Sequence, residues 1–249
     1  FGEGEDLMLE LIRSFEFREK LDLHNVKGIC FEEDGQVITT PQRPFVDMDS
    51  LPFLDWSLLG DEVLNNVRGK IIRVQTSRGC PFRCTFCINV VTKNRSMRYR
   101  DPKLVVDELE YVSRDIGAKR VGFRDEIFIS NRKQTKEIAE GILERDIQIE
   151  WLANPRVEYL RERWIDDDYL QLLVDSGCNK LSCGAESGSP RVLQFIKKQN
   201  TVEDIMNFVQ RTKRFGISPV CAFLIGIPTE TSSERLQTLN MIHDITKIH

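Results

Sequence analysis

Three cysteines lie close together in one short segment, and their spacing is the strongest chemical signal in the chain. Cys80, Cys84 and Cys87 follow the pattern C-x3-C-x2-C within residues 76–87, TSRGCPFRCTFC. Three thiolates this close can bind one metal centre. A cubane cluster of four irons normally takes four thiolates, so three of them leave one iron with an open coordination position. An open position allows chemistry, whereas a closed metal site is structural.

Two other uses of these cysteines follow from the same residues. In the first, zinc binds the three thiolates and takes its fourth ligand from Cys178, Cys183 or Cys221. Zinc knuckles usually pair two short C-x2–4-C units, and the chain has neither a second unit nor a histidine near the first. In the second, the cysteines form disulfides. Seven cysteines with irregular spacing in 249 residues do not make a disulfide framework.

The composition is that of an ordinary globular protein and restricts the classes of partner. The chain has 249 residues, of which 41% are hydrophobic and 30% charged, and its net charge is −4. This charge argues against general nucleic-acid binding. We expect no transmembrane segment, because no apolar run approaches the roughly 18 residues that a membrane helix needs. No signal sequence opens the chain, and free cysteines without one predict a cytoplasmic protein.

Residues 1–60 differ in pattern from the rest of the chain. Apolar residues at helical spacing predict a helix over residues 7–17. The pair Asp34-Gly35 separates two β-branched runs, residues 26–31 and 36–40, and predicts a hairpin. Three prolines follow, in a stretch that we interpret as an irregular linker.

From residue 71 the pattern alternates between short apolar runs and amphipathic segments. Helix starts are marked by capping residues, such as Asp101 before Pro102, Thr201 and Thr231. Strands that alternate with helices predict an α/β fold with a parallel sheet and right-handed crossovers. The predicted strands cover residues 71–76, 120–123, 147–152, 180–183 and 218–225.

The cysteine segment resembles the signature of the radical S-adenosylmethionine (SAM) superfamily, in which an aromatic residue, here Phe86, precedes the third cysteine. The resemblance implies a partial parallel (β/α)6 barrel, similar to a TIM barrel. Only five strands are predicted after residue 70, so the sixth is expected beyond residue 249. We therefore expect a fragment, truncated at both ends, in which residues 61–249 form a radical SAM core that stops before its last strand.

The resemblance also implies SAM-binding residues at the carboxyl ends of the strands, where active sites of such folds form. Asp125, ahead of its neighbour Glu126, follows the second strand and is expected to contact the SAM amino group, unless the two acids only form a solvated turn. Arg156 follows the third strand and is expected to point over the barrel mouth. Its alternative is a surface ion pair with Glu158 or with the acids at 166–168.

The segment after the fourth strand, residues 183–190 (CGAESGSP), resembles the G-x-E-S-G-S segment of cobalamin-associated radical SAM enzymes and methylthiotransferases. By this resemblance Glu186 accepts hydrogen bonds from both ribose hydroxyls of SAM, with Ser187 beside it, and Lys198 pairs with the SAM carboxylate. The alternatives are a turn that leads into a helix and an exposed lysine at a helix end.

The segment after the fifth strand resembles the part of the family that lines the adenine of SAM. Ile225 and Gly226 match this pattern and are expected to bind the cofactor. Thr229 stands where the family usually has glycine, so the loop after Pro228 is expected to differ.

Residues 1–60 resemble the C-terminal end of a cobalamin-binding domain and its linker. The whole resemblance implies a 4Fe–4S cluster and SAM as cofactors, with cobalamin in the full-length protein. The implied reaction is reductive cleavage of SAM to a 5′-deoxyadenosyl radical, with an electron donor such as flavodoxin or ferredoxin. The radical would act on a small-molecule, natural-product or tetrapyrrole-type substrate, in methylation or cyclisation.

Two alternative functions stay open at this point. A methylthiotransferase of tRNA or protein needs an N-terminal domain with three further cluster cysteines, and residues 1–79 contain only Cys30. A non-catalytic metal-binding module would use the same three cysteines without cleaving SAM.

Overall fold

The computed structural model describes residues 1–16, 22–68, 71–89 and 95–248. The chain divides into two compact units, Phe1–Pro52 and Phe53–His249. The division therefore falls before the boundary predicted at residue 60, and the origin of residues 1–60 in a cobalamin-binding domain stays a prediction. None of the described helices combines the length and the apolar character needed to cross a lipid bilayer.

The first unit contains a helix and a two-stranded hairpin. Helix α1 covers Glu5–Glu16, and strands β1 (Cys30–Glu33) and β2 (Gln36–Thr39) pair antiparallel. Asp34 and Gly35 form the turn with φ angles of 51° and 75°, which a two-residue hairpin loop of this hand requires. The predicted hairpin is confirmed, although β1 begins later than predicted. The predicted end of α1 at residue 17 lies outside the described residues.

The second unit alternates strands and helices after a short 3₁₀ turn at Trp56–Leu59. Its elements in chain order are α2 (Gly60–Arg68), β3 (Ile71–Val74), β4 (Ser77–Arg78), β5 (Arg98–Tyr99), α3 (Pro102–Arg114), β6 (Arg120–Phe123), α4 (Arg132–Glu144), β7 (Glu150–Ala153), α5 (Asp167–Asp175), β8 (Cys178–Glu186), α6 (Pro190–Phe195), α7 (Val202–Arg214), β9 (Ser218–Phe223) and α8 (Ser232–Lys247).

Five of these strands form one parallel sheet in the order β3-β6-β7-β8-β9, while β4 and β5 make a separate antiparallel pair. Each main strand lies beside the next one in sequence, as successive βα units predict. The partial parallel barrel with five strands is therefore confirmed. Its carboxyl edge carries the cysteine loop after β3 and the glutamate at the end of β8.

Strand β7 differs from its prediction at its start. The sequence predicted a strand over residues 147–152, and the observed strand is Glu150–Ala153. The N–H of Ile147 instead donates to the carbonyl of Ile142, which closes the end of α4. Backbone groups used in this way cannot join the sheet. Strand β8, in contrast, is longer than the predicted residues 180–183.

The predicted helix starts are confirmed by their caps. The Asp101 side chain accepts from the N–H of Lys103 ahead of Pro102, and both Thr201 and Thr231 form capping boxes. These caps fix where each crossover helix leaves its loop, and the apolar faces behind them pack on the sheet. The core so formed includes Val105, Leu109, Val121, Phe123, Trp151, Leu170, Leu181 and Phe208.

Gly177, which follows α5, provides a test of this packing. Its φ is +101°, and a Cβ atom there would lie 2.1 Å from the carbonyl oxygen of Ile149. We expect Gly177→Ala to lower the free energy of unfolding by about 3 kcal/mol, because backbone strain and a clash with main chain add together. Gly117→Ala is the matched control. Its φ is +79° with open space around the added carbon, so a loss of only about 1 kcal/mol is expected. Equal losses in urea denaturation would contradict this account.

Candidate metal centre and cofactor site

The loop that carries the three cysteines begins at the carboxyl end of β3, where a buried acid fixes its first residues. Asp125, just after β6, is only 4% exposed. Its carboxylate accepts hydrogen bonds from the Thr76 N–H (2.8 Å), the Ser77 hydroxyl (2.8 Å) and the Thr76 hydroxyl. Three donors share one carboxylate, so both residues are held in place before the first cysteine is reached.

Further polar contacts attach the start of the loop to the neighbouring elements. The carboxylate of Glu126 accepts from the Gly79 N–H at 3.1 Å, one residue before Cys80. The amide of Gln134 on α4 donates to the carbonyls of Thr76 (3.1 Å) and Arg100 (2.8 Å). These contacts connect the loop to β6 and α4, which are parts of the packed core.

The three cysteines of the loop are free thiols, and Cys84 is buried while Cys80 and Cys87 are partly exposed. The pKa of Cys80 is raised mainly by burial and further by the charges of Cys84 and Cys87, while the Phe82 N–H and the charge of Arg156 lower it. The Cys87 N–H donates to the Cys84 carbonyl at 3.1 Å, which turns the chain between the second and third thiols. Burial and the charge of Arg156 therefore act on the Cys80 thiol in opposite directions.

Arg156 contacts several groups around the cysteines. It is 7% exposed, and its Nη1 lies 3.8 Å from the Sγ of Cys84. Its guanidinium carbon lies 3.7 Å from the centroid of the Phe82 ring. Nη2 donates to the Lys198 carbonyl and Nε donates to Glu158. The ion pair with Glu158 that the sequence analysis gave as an alternative does form, but it is largely shielded from solvent and lies beside the cysteine loop.

Glu186, at the end of β8, and Lys198 form a second ion pair that is largely shielded from solvent. The Lys198 ammonium lies 2.7 Å from Oε1 of Glu186, and their side chains are 12% and 8% exposed. The ammonium also lies 5.8 Å from the centroid of the Phe86 ring. A Cβ atom at position 184 would lie 2.0 Å from Glu186 Oε1, so Gly184 leaves the space that this carboxylate occupies.

The structure thus brings together several predicted site residues and the metal-binding loop. Glu186 contacts Lys198, Lys198 contacts Phe86, and Arg156 joins the Lys198 backbone to Cys84. The backbone contributes one more connection, from the Thr85 N–H to the Ile196 carbonyl at 3.0 Å. The loop after β3 and the segment after α6 therefore form one site.

Other predicted residues make contacts of a different kind. The Ser187 hydroxyl is buried and lies 3.1 Å from the Thr238 hydroxyl on α8. The oxygens of Asp125 accept from the cysteine loop, so its described role is to support that loop. Ile225 is 56% exposed, and the Gly226 N–H donates to Glu230 at 2.8 Å. The predicted cofactor contacts of Ser187, Asp125, Ile225 and Gly226 therefore stay predictions. The hydrogen bonds and exposure of these residues within the protein do not support them.

Three residues of the site were missed by the sequence analysis. Thr76 and Gln134 hold the start of the loop, and Phe82 lies under the Arg156 guanidinium. The position of Phe82 between the first two cysteines was the signal that could have indicated its contact. Thr76 and Gln134 carried no such signal, because their partners lie far away in sequence.

The cysteines outside the loop are engaged elsewhere. Cys183 on β8 and Cys221 on β9 are direct neighbours with their sulfur atoms 3.6 Å apart, and Cys178 is buried in the core. The hydrogen bond with Cys221 and burial raise the pKa of Cys183. In the described ranges, no three or more His, Cys, Asp or Glu side chains, the three cysteines of the loop included, are arranged to hold a single metal ion. Cys183 and Cys221 contact each other, and no described contact brings either of them to the loop as a fourth ligand for zinc.

Comparison with known protein families agrees with this geometry. The model of the Radical SAM superfamily matches residues 74–242, which include the cysteine loop and the strands from β6 to β9. The chain belongs to the radical SAM superfamily. The resemblance first suggested by Cys80, Cys84, Phe86 and Cys87 is thereby confirmed at the level of the superfamily.

Individual relatives of this radical SAM chain are longer than it is. An uncharacterized methyltransferase of Pyrococcus horikoshii is 31% identical over 234 residues, which cover 94% of this chain and 50% of the relative. An anaerobic magnesium-protoporphyrin IX monomethyl ester cyclase of Rubrivivax gelatinosus is 32% identical over 252 residues, which cover 98% and 44%. The chain thus spans about half the length of these relatives.

A solved structure shows the same fold. The cobalamin-dependent S-adenosylmethionine radical enzyme OxsB, with aqua-cobalamin and S-adenosylmethionine bound, superposes with a TM-score of 0.80 at 23% sequence identity. The match covers 96% of this chain and 35% of OxsB. It therefore includes the five-stranded partial barrel and most of the first unit of this chain.

The buried Asp125 gives a prediction for the pH dependence of stability. Burial raises its pKa from 3.8 to about 6, although the hydrogen bonds from Thr76 and Ser77 oppose the rise. Between these values the folded state holds a proton that the unfolded state has lost, so the contribution of Asp125 to stability falls as the pH rises through this window.

We expect Asp125→Asn to remove this pH-dependent loss. The unfolding free energy of the variant relative to the wild type should therefore improve by roughly 3 kcal/mol between pH 3.5 and pH 7, because each pKa unit corresponds to about 1.4 kcal/mol. The measurement is urea denaturation of both proteins at a series of pH values. A difference that does not vary with pH would show that Asp125 titrates alike in the folded and unfolded states.

Proposed function

We propose that this chain is the core of a radical SAM enzyme in which Cys80, Cys84 and Cys87 ligate a 4Fe–4S cluster. The observation that supports it best is the set of three free thiols on one loop at the carboxyl edge of the parallel sheet. Three thiolates leave one iron open for a ligand. The bound cluster and SAM would supply a 5′-deoxyadenosyl radical after one-electron reduction, and a flavodoxin or ferredoxin is the proposed electron donor.

The protein side of this reaction is to position and shield the cofactors. Asp125 holds the start of the cysteine loop, and Arg156 holds its middle against the segment after α6. Glu186 is proposed to accept hydrogen bonds from the SAM ribose hydroxyls, and Lys198 to pair with the SAM carboxylate. Their mutual ion pair keeps both groups in place next to Phe86.

The backbone at Glu186 supports a binding role for this residue. Its φ is +65°, in the region that favours glycine, and the pairing of β8 with β9 shifts register between Gly184 and Glu186. A non-glycine residue in this conformation costs about 1–3 kcal/mol, and such residues concentrate at functional sites. This conformational cost supports the proposal that the Glu186 carboxylate is needed here to bind SAM.

The proposal for the full-length protein includes cobalamin and a small-molecule, natural-product or tetrapyrrole-type substrate. Its support is the similarity to cobalamin-dependent OxsB, to a methyltransferase and to a tetrapyrrole cyclase. Methylation and cyclisation are the two proposed outcomes, and the described cysteines, all free thiols, favour a reducing cytoplasm. A methylthiotransferase of tRNA or protein is the alternative, and it needs three further cluster cysteines in a domain before the radical SAM core.

The cluster assignment is tested by anaerobic reconstitution and iron and sulfide analysis. The wild type should hold about four irons and four sulfides per chain, and Ala at position 80, 84 or 87 should abolish this loading. Cys183→Ala is the control, since Cys183 contacts Cys221 and not the loop. Loss of loading in this control would favour a closed four-cysteine site. Formation of 5′-deoxyadenosine on reduction in the presence of SAM separates an enzyme from a non-catalytic metal-binding module.

The SAM assignment is tested with Glu186→Gln, which removes the charge and keeps the size of the side chain. SAM affinity should fall about ten- to a hundredfold, which is the loss of a charge-assisted hydrogen bond of about 1.5–3 kcal/mol. Iron content should stay unchanged, because Glu186 is not placed among the thiols. Glu234→Gln is the matched control, as this shielded acid pairs with Arg191. Equal affinity in the Glu186 variant and the wild type would remove Glu186 from the SAM site.

A further inference from the structure

We infer that Arg156 is a positioning residue that also sets the reduction potential of the cluster, by donating an N–H to the sulfur of Cys84. The inference rests on the proposed function, because it requires the three cysteines to hold a 4Fe–4S cluster. The sequence predicts that Arg156 binds SAM, and the role inferred here is a different one.

The first support is the contact itself. Nη1 of Arg156 lies 3.8 Å from the Sγ of Cys84, a distance within the range of hydrogen bonds to sulfur. Both side chains are buried, so water does not compete for either group. A thiolate that ligates iron accepts more strongly than a thiol, since charge on either partner strengthens a hydrogen bond. Binding of the cluster would therefore reinforce this contact.

The second support is that the guanidinium has little freedom to turn away. Nε donates to Glu158, Nη2 donates to the Lys198 carbonyl, and the group lies 3.7 Å from the centre of the Phe82 ring. A planar fork of donors suits several fixed acceptors at once, which a lysine ammonium cannot reproduce. These contacts aim the remaining N–H groups at Cys84.

The charge balance around Arg156 determines the direction of the effect. Glu158 is its paired anion, and the next cation along the site, Lys198, is paired with Glu186. Reduction of the cluster adds one electron from the donor and, in this step, no bond forms or breaks and no proton moves. A positive donor beside a ligating sulfur stabilises the more negative, reduced cluster, and hydrogen bonds to the sulfurs are an established determinant of cluster potentials. Arg156 therefore raises the potential.

The test is a redox titration of the reconstituted full-length protein, with dithionite as the reductant and the electron paramagnetic resonance signal of the reduced cluster as the readout. Signals are normalised to iron content, so that partial loading does not affect the potential. Arg156→Met should make reduction about tenfold less favourable, which for one electron is about 59 mV. Arg156→Lys keeps the charge without the fork and should show a smaller decrease.

Arg161→Met is the matched control. Arg161 lies five residues after Arg156 and pairs with Asp204. Among the contacts of the described residues, none joins Arg161 to a cysteine. Its variant should keep the wild-type potential. An unchanged potential in a cluster-loaded Arg156→Met protein would overturn the inference. An equal decrease in Arg161→Met would also overturn it, since the effect would then come from general loosening.

A measurement on the wild type covers the case in which the Arg156 variants bind no cluster. Protein with ¹⁵N-labelled arginine should show a ¹⁵N coupling to the reduced cluster in pulsed electron paramagnetic resonance, without added SAM. Absence of this coupling would overturn the contact between Arg156 and the cluster ligand. A wild type that holds no cluster would instead refute the proposed function, and with it the basis of the inference.

Discussion

A buried carboxylate accepts three hydrogen bonds at the point where a core strand becomes the metal-binding loop. Asp125 accepts hydrogen bonds from the backbone N–H and the hydroxyl of Thr76 and from the hydroxyl of Ser77. A carboxylate offers enough lone pairs for all of these donors, whereas an amide side chain offers fewer. Asp125 thereby fixes the direction in which the backbone leaves β3. The positions of the three thiols depend on that direction.

Two ion pairs that are largely shielded from solvent lie beside the loop, and their energetics explain why charged groups are kept there. Removing charges from water is costly, and such pairs often contribute little net stability compared with apolar side chains of the same size. Arg156 with Glu158 and Lys198 with Glu186 are both shielded and both lie next to the cysteines or to Phe86. We explain these pairs as groups that orient bound cofactors. The packing of the rest of the fold offsets the cost of removing their charges from water.

The parts of this molecule that sequence predicts well are local, and the parts it predicts poorly are long-range. The cysteine spacing, the hairpin turn at Asp34-Gly35 and the capping boxes at Thr201 and Thr231 each depend on residues within a few positions of one another. The role of Asp125 depends on Thr76, 49 residues away, and that of Arg156 on a sulfur 72 residues away. Alternation placed both near the barrel mouth but did not indicate the residues of the cysteine loop that they contact. The start of β7 was predicted too early for a local reason, because the end of α4 uses the backbone N–H of Ile147.

The order of the strands determines how far apart the loops after β3 and β8 would lie without further contacts. In a flat sheet β3 and β8 would lie three strand spacings apart, or about 14 Å. The loops that follow them nevertheless meet, with the Thr85 N–H 3.0 Å from the Ile196 carbonyl. This cross-connection bypasses the strands in between and closes a ring of short links over the carboxyl edge. Helix α4 supports this ring through Gln134, whereas no contact of the described residues joins α5 to it. Insertions or deletions at α5 would therefore alter the outline of the protein while the span from cysteine to glutamate stays the same.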